Sequence, residues 1–522
     1  MAELSYSLAR FLEVVRDYPA ERVQARLLSA SDRDLAAVLA ALKPPDRETV
    51  LVRVGQAKRT RVEEGLERMR FVRLAPGQSD RIAAHLTAHI EGDVPLGPAS
   101  SHFRPHRAEG GREGLSPDPA GSRGAPDAAP PPPASRRALR RGDLPDNFTR
   151  SLYSLSPYRG CAHGCRYCDG RAEKYYVEGD FERDIAVRDW LPDRLAAELP
   201  NLREPGMVAV GSGTTDPYQP VEAEARIVGR CAELLAKTGT PVTVMTKSDL
   251  VLRDLDAWRR VNQRSLFVLL VSITTLREDV RAAFEPGASP IEARLRAMRA
   301  FKAAGCVVGA LAMPFLPGIT DDEPGIRALY AELAALGVDF VMPGGLTLRP
   351  GRQKDLYLET LEEYRPELLG SVRDLYREDR PSGRPVREAE ETLRRTLAAV
   401  RRDFGMPFLL PHRVYSRALP RYDAFRVLLR DMAELYADRG VDTRPLRGSA
   451  DRYDGWLIGL RRVFRRRRSL PAAWLAERFE EALDTGELDR ILDNRRLSGF
   501  ARSVLRDGVT LDYTTLRLAP DT

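Results

Sequence analysis

Three of the five cysteines, Cys161, Cys165 and Cys168, fall within eight residues of one another. Their spacing is Cys-x3-Cys-x2-Cys, and thiolates so crowded are ligands for zinc or for an iron–sulfur cluster. On a cubane [4Fe–4S] cluster, three thiolates leave one iron without a protein ligand and open to a small molecule. A structural zinc site is the competing reading, with His163 completing a Cys3His set. His163 lies only two residues from Cys161 and from Cys165, which is tight for one tetrahedral ion, and no second Cys-x2-Cys pair occurs. Gly160 and Gly164 beside the cysteines would let the backbone wrap a cluster. Cys231 shares a helical stripe with Val228, Leu234 and Leu235 and reads as core, while Cys306 opens a strand at the end away from the cysteines. Five cysteines in 522 residues do not suggest a disulfide framework.

The cysteine loop directly follows the first of six short apolar runs, at residues 152–156, 207–211, 242–246, 266–274, 307–313 and 340–347. Helical patterns alternate with them at 221–237, 250–261, 291–304, 326–336 and 356–376. Such alternation predicts an α/β fold with a parallel sheet, a partial (β/α)6 TIM-like barrel whose chemistry sits at the carboxyl ends of the strands. Around this core, residues 1–95 read as an all-α domain, with apolar spacing at Leu35, Val38, Leu39 and Leu42 and then at Val50, Leu51 and Val54. Residues 96–146, rich in Pro, Gly and Arg, read as a flexible linker; His102 and His106 lie there with Pro105 between them and suggest no metal site. The core is expected over 147–378 and a mostly helical, strongly charged C-terminal extension over 379–522.

Lys and Arg together number 82 against 75 Asp and Glu, a net charge of +7. This would suit a nucleic acid, but the excess is small for the length. The run Arg465 to Arg468, preceded by Arg461 and Arg462, either touches phosphates or forms a solvated helix face. No apolar run approaches the roughly 20 residues needed to cross a bilayer, and the N-terminus does not read as a signal peptide. A cytoplasmic protein without a membrane partner is the expectation.

The segment SPYRGCAHGCRYC, with Tyr167 just before the last cysteine, resembles the radical S-adenosylmethionine (SAM) signature. Further blocks follow in order: GSGTTDPYQPVE at Gly211 to Glu222, VMTKSDLVLRDLD at Val244 to Asp256, VSITT at Val271 to Thr275, FEPGASPIEARL at Phe284 to Leu295 and MPFLPGITD at Met313 to Asp321. Together they resemble the spore photoproduct lyase, or DNA repair photolyase-like, group of radical SAM enzymes. That resemblance implies a [4Fe–4S] cluster on Cys161, Cys165 and Cys168 and a SAM that chelates the open iron through its amino and carboxylate groups. An electron from the reduced cluster then splits the sulfonium bond to give a 5′-deoxyadenosyl radical. Lys247 and Ser272 are implied contacts of the SAM carboxylate, and Asp216 an acceptor for its ribose or amino group. Glu285 and Arg294 would clamp the substrate or pair with each other, and Tyr218 and Gln219 would lie beside the substrate space. An electron donor such as flavodoxin or ferredoxin is implied as partner. Separately, residues 31–91 resemble helical repeats of the flagellar motor switch protein.

The resemblance stops short of a substrate. Spore photoproduct lyase uses a cysteine in the second block as hydrogen donor, and Gly213 stands at that place here. The catalytic residues, the substrate, the fate of SAM and the oligomeric state are not legible in the sequence. A zinc-stabilised nucleic-acid-binding protein without turnover is the alternative reading.

Overall fold

The computed structural model describes residues 5–54, 56–69, 77–91, 137–172, 175, 177, 180–211 and 213–520. The N-terminal helices, with residues 170–184 and 350–355, belong to one compact unit, and the rest of the described chain to a second. Among the described residues of the first unit, helices lie at Tyr6–Asp17, Ala20–Ser29, Asp32–Ala40, Pro44–Leu51, Gln56–Met69 and Gln78–Glu91. Ser5 and Ser31 cap two of them by accepting from Leu8 N and Asp34 N. Phe11, Val15, Leu35, Leu39, Val50 and Ile82 form the centre of its own apolar core.

The second unit is built on a seven-stranded sheet: β1 Leu139–Arg141, β2 Tyr153–Leu155, β3 Val208–Val210, β4 Val242–Thr246, β5 Phe267–Ser272, β6 Val307–Phe315 and β7 Phe340–Gly345. The strands follow in that order across the sheet. β2 to β7 run parallel and β1 pairs antiparallel with β2. Six parallel strands in sequence order are what the apolar runs predict. β1 falls inside the stretch expected to be linker; Leu139 is buried there, and Arg141 pairs with Glu204. His102 and His106 lie outside the described residues.

Both faces of the sheet are covered, and strand alternation divides them. From β5, Phe267, Leu269 and Val271 join the apolar cluster made with the helices of the alternating pattern. Val268 and Leu270, with Phe340 and Met342 of β7, belong to a second cluster. Its other half comes from C-terminal helices at Arg421–Asp438, Arg444–Arg466 and Trp474–Asp484. The C-terminal extension is therefore the second layer of the core, not an appendage. Helix Arg387–Asp403 also packs on the first face, through Leu397 and Val400. The packed core thus runs past the boundary expected at 378, because that helix fills the covering place after β7. The chain ends in a hairpin, Val509–Leu511 with Leu518–Pro520, in a region read as helical. No helix among the described residues is long and apolar enough to cross a membrane.

Buried ion pairs fasten the second layer at the amino ends of the strands. Arg461, fully buried, reaches Glu204 Oε1 at 2.6 Å and both oxygens of Asp423 at 2.7 and 2.8 Å. Arg150 Nη2 meets Asp431 Oδ1 at 2.7 Å, and Tyr513 donates to Asp431 Oδ2 at 2.5 Å. Arg461 is thus committed to the interior and unavailable to phosphates, while Arg462 and Arg465 to Arg468 remain exposed.

Candidate iron–sulfur and SAM site

The cysteine loop leaves β2 at the carboxyl end of the sheet. Gly160 and Gly164 adopt φ of +83° and +62°, left-handed values that glycine takes without a Cβ penalty. Cys161 and Cys165 are buried and Cys168 is half-buried. Cys165 and Tyr167 join an apolar cluster with Phe284, Leu316, Ile319 and Leu346, which follow β5, β6 and β7. The loop is therefore seated on the same strand ends where the sequence blocks converge.

Two segments hold it. From the turn after β3, Gln219 Oε1 accepts from Ala162 N at 2.8 Å, and its Nε2 donates to the Gly160 carbonyl at 3.1 Å. Thr215 Oγ1 donates to the same carbonyl at 2.7 Å. From the segment after β5, Gly287 N donates to the His163 carbonyl at 2.9 Å, and the Phe284 carbonyl accepts from Arg166 N at 2.8 Å. A Cβ at Gly287 would stand 2.3 Å from the Ala162 carbonyl oxygen, so the approach of these two segments requires glycine. The Tyr167 hydroxyl donates to Glu285.

Asp216 is a brace. Oδ1 accepts from Tyr218 N at 2.8 Å and Thr246 Oγ1 at 2.7 Å, while Oδ2 accepts from Lys247 N at 2.8 Å and lies 3.4 Å from His163 Nδ1. Burial opposes its ionisation, but His163 and these hydrogen bonds prevail and hold the carboxyl below its usual range. Four partners thus sit on the two oxygens of the carboxylate expected to contact SAM. Glu285 and Arg294 turn out to pair with each other, at 2.5 Å and almost fully buried. Arg294 also donates to the carbonyls of Ser272 and Ser289 at 3.0 and 2.8 Å. Tyr218 and Gln219, expected beside the substrate space, are fully buried. The Tyr218 hydroxyl accepts from Trp258 Nε1 at 2.7 Å and lies 3.0 Å from Asp254.

Lys247 is different. Its ammonium lies 5.8 Å from the Tyr167 ring centroid, half-buried, and among the described residues it has no ion-pair or hydrogen-bond partner. Burial disfavours its charge, yet Cys165 and Glu285 outweigh burial and raise its pKa. Ser272, at the end of β5, is buried, and its hydroxyl has no hydrogen bond among the described residues.

The donor set fits a cationic metal group. Burial pushes the Cys161 thiol well up, with Asp216 adding to it, and pushes the Cys165 thiol up to about 12 against the opposing charge of Lys247. Thiolates there call for cations at the sulfurs, which cluster irons supply. The Cys3His zinc reading would bring His163 to the cysteines, whereas His163 Nδ1 faces Asp216. Among the described residues, no three Cys, His, Asp or Glu side chains are grouped for a single ion; in a cubane, each thiolate takes its own iron. Cys231 lies in the apolar core, as its helical stripe suggests, and Cys306, at the start of its strand, joins the same cluster. Gly213 is exposed, and a Cβ there would meet nothing within 4 Å.

Residues 155–329 match the family model described as Radical SAM superfamily. An uncharacterized protein of Mycobacterium tuberculosis is 32% identical over 231 residues, 43% of this chain and 67% of the relative. An uncharacterized protein of Acidianus two-tailed virus is 30% identical over 218 residues, 39% of this chain and 69% of its own. Among solved structures, spore photoproduct lyase complexed with dinucleoside spore photoproduct is similar with a TM-score of 0.39 and 20% identity, over 52% of this chain and 78% of that one. The likeness of residues 31–91 to the flagellar motor switch protein finds no support in these comparisons.

Proposed function

This chain belongs to the radical SAM superfamily, whose members bind a [4Fe–4S] cluster and SAM, and from that we propose that Cys161, Cys165 and Cys168 hold the cluster and that the enzyme reductively cleaves SAM. When bound to these cysteines, the cluster would supply the electron for reductive cleavage of the SAM sulfonium bond. The observation that carries the site assignment is Lys247: a half-buried ammonium close to the cysteine loop, at the strand ends, with no ion-pair partner among the described residues. An ammonium so placed is matched by an anion, and the SAM carboxylate is the anion we assign to it. The Ser272 hydroxyl is a second donor for that carboxylate, and Asp216 orients Lys247 by holding its backbone N–H. The substrate binds near these strand ends, and a reductant such as flavodoxin or ferredoxin completes the cycle. A lyase reaction on DNA is one candidate, drawn from the sequence blocks. Repair by a cysteine hydrogen donor in the second block is not proposed, because Gly213 stands there and Cys231 and Cys306 are in the core.

The test is anaerobic reconstitution with iron and sulfide, reduction by dithionite and assay of 5′-deoxyadenosine from SAM, without substrate and with DNA. Formation that vanishes in a Cys161→Ala, Cys165→Ala, Cys168→Ala variant supports the reading; a loaded wild-type cluster that produces none sinks it. Lys247→Met should keep the cluster and weaken SAM binding about 10- to 100-fold, the worth of a charge-assisted hydrogen bond.

A further inference from the structure

We propose that Gln219 is a positioning residue that sets the reduction potential of the cluster without touching it, by deciding where the amide beside Cys161 points. The inference rests on the cluster assignment above. Gln219 is 0% exposed, in the turn that follows β3. Its side chain spans the two neighbours of Cys161, accepting from Ala162 N and donating to the Gly160 carbonyl, with a further hydrogen bond of 2.9 Å to Thr215 Oγ1. The orientation of its amide follows from chemistry: a backbone N–H can only donate and a carbonyl can only accept, so Oε1 must face Ala162 and Nε2 must face Gly160.

Two consequences separate this from simple packing. The loop carries left-handed glycines on both sides of its central histidine, so external tethers must select its conformation. Besides, backbone amides beside ligand cysteines are the donors that cluster sulfurs compete for, and hydrogen bonds to those sulfurs tune the potential. Gln219 takes the Ala162 N–H out of that competition. A leucine at 219 leaves this amide without its acceptor beside the thiolates, which favours the reduced cluster. A glutamate keeps an acceptor for Ala162 but loses the donor to Gly160 and brings negative charge to the loop, which disfavours the reduced cluster.

The experiment is an electron paramagnetic resonance redox titration of the full chain, anaerobically reconstituted, with iron and sulfide contents and circular dichroism measured alongside. Gln219→Glu is expected to move the midpoint potential to more negative values and Gln219→Leu to more positive ones, the latter with a several-fold loss of bound iron. Thr215→Val, which removes a Gly160 tether and leaves the Ala162 bond, is expected to lower iron content without moving the midpoint. Should Gln219→Leu fail to fold, the shift in Gln219→Glu decides. Gln219 variants that load iron and titrate like wild type overturn the proposal, as does loss of folding in both, which would make Gln219 purely structural. A wild-type protein that takes up no cluster would instead refute the cluster assignment.

Discussion

The two ends of the sheet bury charge in different ways. At the carboxyl ends, Asp216 and Glu285 are held below the ordinary carboxylate range despite burial, because His163 and Arg294 respectively, with several hydrogen bonds, surround them. At the amino ends, burial wins over the arginines and pushes Asp423 and Asp431 each up to about 6. Arg461, shared between Asp423 and Glu204, is itself held more firmly charged; one guanidinium divided between two buried carboxylates accounts for both directions. The carboxyl end has donors to spare for an anion. The amino end is a clasp whose acids are only just matched.

Breaking the clasp should have the largest effect on stability. Arg461→Met leaves Asp423 and Glu204 buried without their shared cation, and a loss of roughly 3–5 kcal/mol is expected in denaturant unfolding; a loss under 1 kcal/mol would mean the pair is not structural. Next comes Gly287→Ala, whose Cβ must push the Ala162 carbonyl away. It should cost roughly 1–3 kcal/mol and, unlike Arg461→Met in its surviving folded fraction, should lower iron uptake.

Acid should separate the ends without mutation. Raised carboxyl pKa values mean that the folded state binds protons more readily than the unfolded chain, so the clasp gains stability as pH falls from about 7 through 6 toward 4. The gain is roughly 1–3 kcal/mol per group. The lowered groups, Asp216 and Glu285, act in the opposite sense: their contribution is present above the ordinary carboxylate range and fades as pH drops below about 4. Melting temperature measured against pH should therefore rise on mild acidification, with the rise reduced in Asp431→Asn; a profile flat from pH 7 to 5 would contradict it. The smallest effect is expected from Gly213→Ala, within about 0.5 kcal/mol of wild type and with unchanged iron content, since nothing stands near its Cβ. Comparison with Gly287→Ala would show that the loop's tolerance is set by close approach and not by glycine content.

Much of this architecture is legible in the sequence because parallel strands, buried on both faces, read as continuous apolar runs. The six runs all became strands of the main sheet. The cysteine spacing names its own chemistry. What the sequence hides is partnership. An amphipathic helix such as 421–438 displays an apolar face without saying what covers it, so its place in one apolar cluster with Val268 and Leu270 does not show in the sequence. Asp216 reads as an acceptor, but the groups it holds, Tyr218 N, Thr246, Lys247 N and His163, do not show in the sequence. Gln219 has the residue type of a binding-site side chain, yet both ends of its amide are spent on the cysteine loop. The short β1 strand was concealed by the Pro- and Gly-rich composition that precedes it.

Covering one face of the sheet with the last part of the chain also constrains how the protein is made. Arg426 bonds to the Pro145 carbonyl across 281 positions, and Arg461 to that of Asp143 across 318. On the ribosome, β1 to β7 emerge well before helices 421–438 and 444–466. At ~5–20 residues per second, the face carrying Val268, Leu270 and Phe340 waits on the order of ten seconds for its cover. During that interval the nascent chain presents an apolar sheet surface, a natural target for chaperones and a hazard for aggregation. Expression of residues 137–378 alone would make that temporary exposure permanent.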